Sequence, residues 1–127
     1  MIKKILSLFL LGLLAFSKPI KAQFIDSFTD GNFSANPAWS GNTADWIVNP
    51  SLQLQSNNTV ASSNFYLSTA NTLATTAQWE FWCQITFNPS STNYIDFYLT
   101  ASVSDITQSA VTGYFVRIGG TSDEISL

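Results

Sequence analysis

Two segments in the second half of the chain mix large aromatic side chains with charged and amide groups on one side of a two-residue period, and a third follows the same rule. "AQWEFWCQITFN" sets Trp79, Phe81, Cys83, Ile85 and Phe87 against Glu80, Trp82, Gln84 and Thr86. "NYIDFYLTAS" sets Ile95, Phe97, Leu99 and Ala101 against Tyr94, Asp96, Tyr98 and Thr100. "GYFVRIGG" sets Tyr114, Val116 and Ile118 against Phe115 and Arg117. Such alternation marks β-strands with one apolar face. Side by side, these strands would gather Glu80, Trp82, Gln84, Tyr94, Asp96, Tyr98, Phe115 and Arg117 on the opposite face. Rings of this kind stack on the C–H faces of sugars, and the carboxylates, amide and guanidinium meet sugar hydroxyls. The planar fork of Arg117 would also pair with Asp96 or Glu80. The same side chains stabilise a sheet without any ligand, by roughly 0.2–1 kcal/mol per cross-strand pair. Both readings, glycan binding and sheet architecture or domain packing, remain open at this point.

Two further chemistries are possible on paper. Glu80 and Asp96 on neighbouring strands could stand about 5–10 Å apart, the separation an acid–base pair needs to cleave a glycosidic bond. Paired carboxylates are common in β-proteins, so this signal is unspecific. In "FIDSFTDGNFSANPAWSG", Asp26, Asp30 and Gly31 invite comparison with a calcium loop. Counted from Asp26, however, Phe28 falls at position 3 and Pro37 at position 12, where the helical calcium loop needs oxygen ligands. Asp30 with backbone carbonyls is left as the one weak calcium candidate, and no other cofactor is implied. Asp123-Glu124 after Gly119-Gly120 reads as a solvated turn.

Composition removes other classes. The chain has no histidine, which excludes His-based zinc sites and Ser-His-Asp triads. Its single cysteine, Cys83, cannot form a disulfide within the chain and reads as a small residue of a strand face. "MIKK" followed by the apolar run Ile5–Phe16 and "SKPIKA" reads as a signal peptide, residues 1–22, with cleavage after Ala22. No other apolar run is long enough to cross a bilayer. Lys3, Lys4, Lys18 and Lys21 would leave with that peptide, and Arg117 would face all eight acidic residues alone. Nucleic-acid binding needs clustered cations and is excluded, and an anionic membrane surface is disfavoured for the same reason.

The elements that must position these residues are short. Besides the three long segments, "FIDSF", "DWIVN", "LQLQ", "NFYLS" and "EISL" read as strands. Asn36-Pro37, Asn49-Pro50 and Asn88-Pro89 mark corners, because proline drives the preceding residue out of the helical region. Ser104–Gln108 is the one place for a short helix or an irregular loop. Short strands at regular intervals predict an all-β antiparallel sandwich. Gln78–Phe87 would span about 33 Å at ~3.3 Å per residue, a length suited to a central strand of a large jelly roll. Because "DEISL" stops inside an alternating strand, residues 23–127 read as the N-terminal part of a sandwich domain in a longer protein.

The succession "DSFTDGNFSANPAWSG", "WIVNPSLQLQ", "WEFWCQITFNPSSTNYIDFYL" and "GYFVRIGGTSDEISL" resembles the concanavalin A-like (laminin-G-type) jelly-roll domain at the N-terminus of secreted Bacteroidota surface proteins. Those proteins often continue into a lamin-tail domain and a C-terminal sorting signal. The resemblance implies two curved antiparallel sheets, a secreted or cell-surface location and packing against downstream domains. Glycoside hydrolases of the same superfold carry E-x-D-x-x-E or E-x-D-x-E on one strand, and this chain departs from that pattern: Glu80 is followed by Phe81, Trp82 and Cys83. The expected function is therefore a non-catalytic recognition module for an extracellular glycan. The alternatives are a structural spacer domain and, more distantly, a glycoside-active enzyme.

Overall fold

The computed structural model describes residues 25–72 and 77–127. Residues 1–22, read from the sequence as a signal peptide, lie outside them. The described residues form short antiparallel strands and a single turn of 3-10 helix, Thr43–Asp45. The all-β class expected from the alternation holds at that level. Among the described residues no helix is long and apolar enough to cross a membrane.

Two small pairs occupy the first half. β1 (Ser40–Gly41) pairs with β4 (Leu67–Ser68), and β2 (Trp46–Val48) pairs with β3 (Leu54–Ser56). The Asn49-Pro50 corner closes the second pair as the sequence predicts. Asn49 accepts the Leu52 amide on its backbone carbonyl at 2.8 Å, and its side-chain oxygen accepts the amides of Ser51 and Gln53 at 2.9 and 3.1 Å. An asparagine whose side chain accepts the amides of its own turn satisfies backbone groups that no ladder reaches.

The second half holds the main sheet, in the order β5 (Tyr94–Ala101), β6 (Gly113–Gly119), β7 (Glu124–Ser126). Asp96 stands opposite Arg117, Phe97 opposite Val116 and Tyr98 opposite Phe115. An irregularity between Tyr98 and Thr100 then brings Thr100 opposite Tyr114. Gly113 closes the hairpin against Ala101, where a side chain would collide with the Thr100 carbonyl. Ser104–Gln108 forms an irregular turn, with Asp105 accepting the Thr107 amide and hydroxyl on its carboxylate at 3.0 and 2.6 Å.

Two expectations are corrected. Phe24–Phe28 does not open the fold as a strand: Phe24 is outside the described residues, and Phe28 takes a φ of 55°, which breaks an extended run. Asp26 drives that bend by accepting the Phe28 amide at 2.8 Å.

Gln78–Phe87 likewise forms no ladder. The bridge between Ser90 and Asn93 fixes the register of the turn before β5. An antiparallel ladder continued from it would set Thr86 opposite Phe97 and Gln84 opposite Leu99, polar face against apolar face. A one-residue mismatch of register inverts every side chain. The apolar contact prevails instead, with Phe81 stacked on Phe97 at 4.1 Å between ring centroids.

The apolar faces are not sealed. Among the described residues no apolar side chain is fully buried, and Ile95, Phe97, Val116 and Ile118 are half-buried.

Candidate functional site

The site grows from the register of β5 and β6. Tyr94, Asp96 and Tyr98 occupy alternate positions on β5, and Phe115 and Arg117 do so on β6, so all five share one face. Arg117 donates to Asp96 through Nε at 2.7 Å and Nη2 at 2.8 Å, a two-pronged fork–carboxylate pair. The guanidinium lies 3.8 Å from the centre of the Tyr94 ring and 5.5 Å from that of Phe115. Phe115 in turn stacks on Tyr98 at 4.9 Å. The result is a continuous row of ring, cation, ring and ring across two strands. The hydrogen bond to Asp96 raises the guanidinium pKa further, so its charge is permanent.

Neither member of the ion pair is sealed off. The Arg117 side chain is 33% exposed and that of Asp96 18%. This is enough for a ligand to reach the pair, and too much for water to be excluded from it.

The third strand extends the face. Ser126 stands opposite Arg117, and Glu124 stands opposite Gly119, which is itself opposite Tyr94. "EISL" reads as a strand from sequence, but its register depends on the turn through Gly120 and Asp123, so these two neighbours were not legible there. The Gly120 carbonyl accepts the Asp123 amide at 3.4 Å, and Gly119, Gly120 and Asp123 all take positive φ. Gly119 is the one residue classed as buried among those described. A Cβ there would come within 2.8 Å of Pro89 and 3.4 Å of the Tyr94 Cβ. The Asn88-Pro89 corner therefore presses on the sheet beside Tyr94 and walls that end of the face.

The other expected members lie elsewhere. Glu80, Trp82 and Gln84 are exposed on the unpaired segment, and no ladder joins them to β5. Glu80 accepts the Gln78 side-chain amide at 2.6 Å. Trp82 is 69% exposed. Cys83 is half-buried, and burial raises its thiol pKa.

Asp30 sits in the opening loop, where its carboxylate accepts the backbone and side-chain amides of Asn32 at 3.2 and 2.8 Å. Asp26 is spent on Phe28 and on the Trp39 indole N–H at 2.8 Å. These oxygens are engaged in shaping the loop, and no group of three or more His, Cys, Asp or Glu side chains suited to a metal ion occurs among the described residues.

Compared with protein-family models, curated proteins and solved structures, the chain matches none.

Proposed function

We propose that the chain is a non-catalytic recognition module, secreted or held at the outer cell surface, that binds carbohydrate on the β5–β6 face. The observation that carries this reading is the row Tyr94–Arg117–Phe115–Tyr98, with Asp96 holding the guanidinium flat and in place. Partly exposed rings fixed beside oriented polar groups suit sugar recognition, and here Tyr94 is 39% exposed while Tyr98 and Phe115 are half-buried. A sugar ring stacks on the Tyr98–Phe115 pair while its hydroxyls reach Arg117 and Asp96. The wall at Pro89 gives the face an end and so a direction along which a glycan chain lies. The wider architecture is that of a concanavalin A-like jelly roll, consistent with the antiparallel strands and with the sequence resemblance. A role in catalysis is disfavoured because Asp96 is paired with Arg117 and Glu80 lies on a segment that no ladder joins to β5.

A second reading is favoured by the half-covered apolar side of the same sheet. Ile125 and Tyr114 are 73% and 72% exposed, and such surface suits packing against another domain of a longer surface protein. A spacer domain would use that side and leave the aromatic row idle.

Affinity electrophoresis of the full secreted chain through gels that hold soluble polysaccharides separates the two. The module reading expects retardation by at least one polysaccharide, reduced at least about tenfold in Tyr98→Ala. No retardation in any gel favours the spacer.

A further inference from the structure

We infer that the glycan taken by this face is uncharged, a chain of hydroxyl-bearing sugars without carboxylate or sulfate groups; the inference rests on the glycan-binding reading above. Three observations point to it.

The first is charge matching. Arg117 is the one cation of residues 23–127, and Asp96 neutralises it at 2.7 and 2.8 Å. The face therefore offers no net positive charge to an anion. The second is the third strand, whose Glu124 stands in the same cross-strand row as Tyr94 and Gly119. An acidic sugar beside Tyr94 would meet a second carboxylate there, in addition to Asp96. Like charges brought together on binding act against the wrong partner.

The third observation is the hydrogen-bond inventory of the pair. Nε and one prong of Nη2 are used on Asp96, and the other guanidinium N–H groups have no partner among the described residues. Each Asp96 oxygen accepts one of these bonds and keeps lone-pair capacity for another. The pair thus presents donors and acceptors side by side. A hydroxyl both donates and accepts and can use the two together. A carboxylate or sulfate only accepts, so it could satisfy the Arg117 donors while leaving the Asp96 lone pairs opposed by its own.

The test compares neutral with acidic polymers for the full secreted chain. Affinity electrophoresis is run in galactomannan, xyloglucan and mixed-linkage glucan, and in polygalacturonate, alginate and chondroitin sulfate, from about 0.05 to 0.5 M salt. The expected result is retardation by a neutral polymer that persists across the salt range, with binding to every acidic polymer at least about tenfold weaker. Retardation by an acidic polymer that is lost with salt overturns the inference and leaves the glycan-binding reading intact. Absence of retardation in all six overturns the underlying reading itself.

Asp96→Asn supplies the gain-of-function arm. Removing the matching charge exposes the Arg117 cation, so polygalacturonate should now retard the variant at low salt. Glu124→Gln, on an exposed position, should move binding in the same direction by a smaller factor. If both variants fold and neither gains affinity for an acidic polymer, charge matching is not what selects the ligand.

Discussion

The β5–β6 hairpin and the segment Gln78–Phe87 alternate apolar and polar residues almost equally well, yet only the hairpin becomes a ladder. In the hairpin, pattern and register agree. Phe97 meets Val116, Asp96 meets Arg117 and Tyr98 meets Phe115, so each face receives its own kind. In the segment they conflict, because the register set at Ser90 and Asn93 would bring Thr86 and Gln84 onto the Phe97–Leu99 face. Alternation therefore specifies which side chains share a face. Whether the backbone pairs is decided by the turn that joins the two strands.

The hairpin is most severely broken at its closing end. Gly113→Val would drive side-chain atoms into the Thr100 carbonyl and should cost about 3 kcal/mol or more, read as a lowered urea midpoint. A midpoint within error of the wild type would mean that the hairpin does not organise the second half.

A smaller loss is expected from the ion pair. Arg117→Ala removes a fork–carboxylate pair that is about one-third exposed on the arginine side. Discounted for solvent screening, the effect should be about 1–2 kcal/mol in chemical denaturation. A double-mutant cycle with Asp96→Asn should recover most of this as coupling energy, whereas additive single effects would deny the pair its role.

The comparison can also be sharpened by repairing the segment. Deleting Asn88 would set Ile85 opposite Phe97 and Phe87 opposite Ile95, apolar on apolar. Amide hydrogen exchange should then show protection between Gln78 and Phe87 raised at least about tenfold, equivalent to ~1.4 kcal/mol. Unchanged exchange would refute register conflict as the reason that the segment stays unpaired.

The smallest effect belongs to the loop between β5 and β6. Hydrogen bonds from the Thr107 hydroxyl and amide hold the Asp105 pKa below its ordinary value. A depressed carboxylate contributes stability that is present above the unfolded-state pKa and is lost as the pH falls through the folded-state pKa. Asp105→Asn should therefore melt slightly below the wild type in thermal scans near neutrality. The two should converge as the pH falls through the aspartate range, and a difference that persisted in acid would assign the effect to something other than the charge.

Much of the fold was legible because it rests on local patterns. The alternation located β5 and β6, the Asn49-Pro50 corner located the turn between β2 and β3, and the single arginine pointed to a carboxylate partner. The sequence left Asp96 and Glu80 as equal candidates for that partner, and cross-strand register chose Asp96. What could not be read depends on backbone detail at a few residues. The Asp26 side chain bends the chain at Phe28 and removes the expected first strand. The turn beyond Gly119 sets which residues of β7 stand beside Arg117. The expected face was too wide for the same reason: Glu80, Trp82 and Gln84 share a period with the hairpin residues but not a ladder.

The two regions offer competing surfaces for a sugar, an ordered aromatic row on the hairpin and an exposed Trp82 on the unpaired segment. Two-dimensional amide NMR of the chain, titrated with the neutral oligosaccharide that corresponds to the best-retarding gel, distinguishes them directly. Saturable shifts centred on Asp96, Tyr98, Phe115 and Arg117, including the Arg117 Nε–H, are the predicted result. Shifts confined to Trp79–Phe87, with the hairpin unmoved, would contradict it.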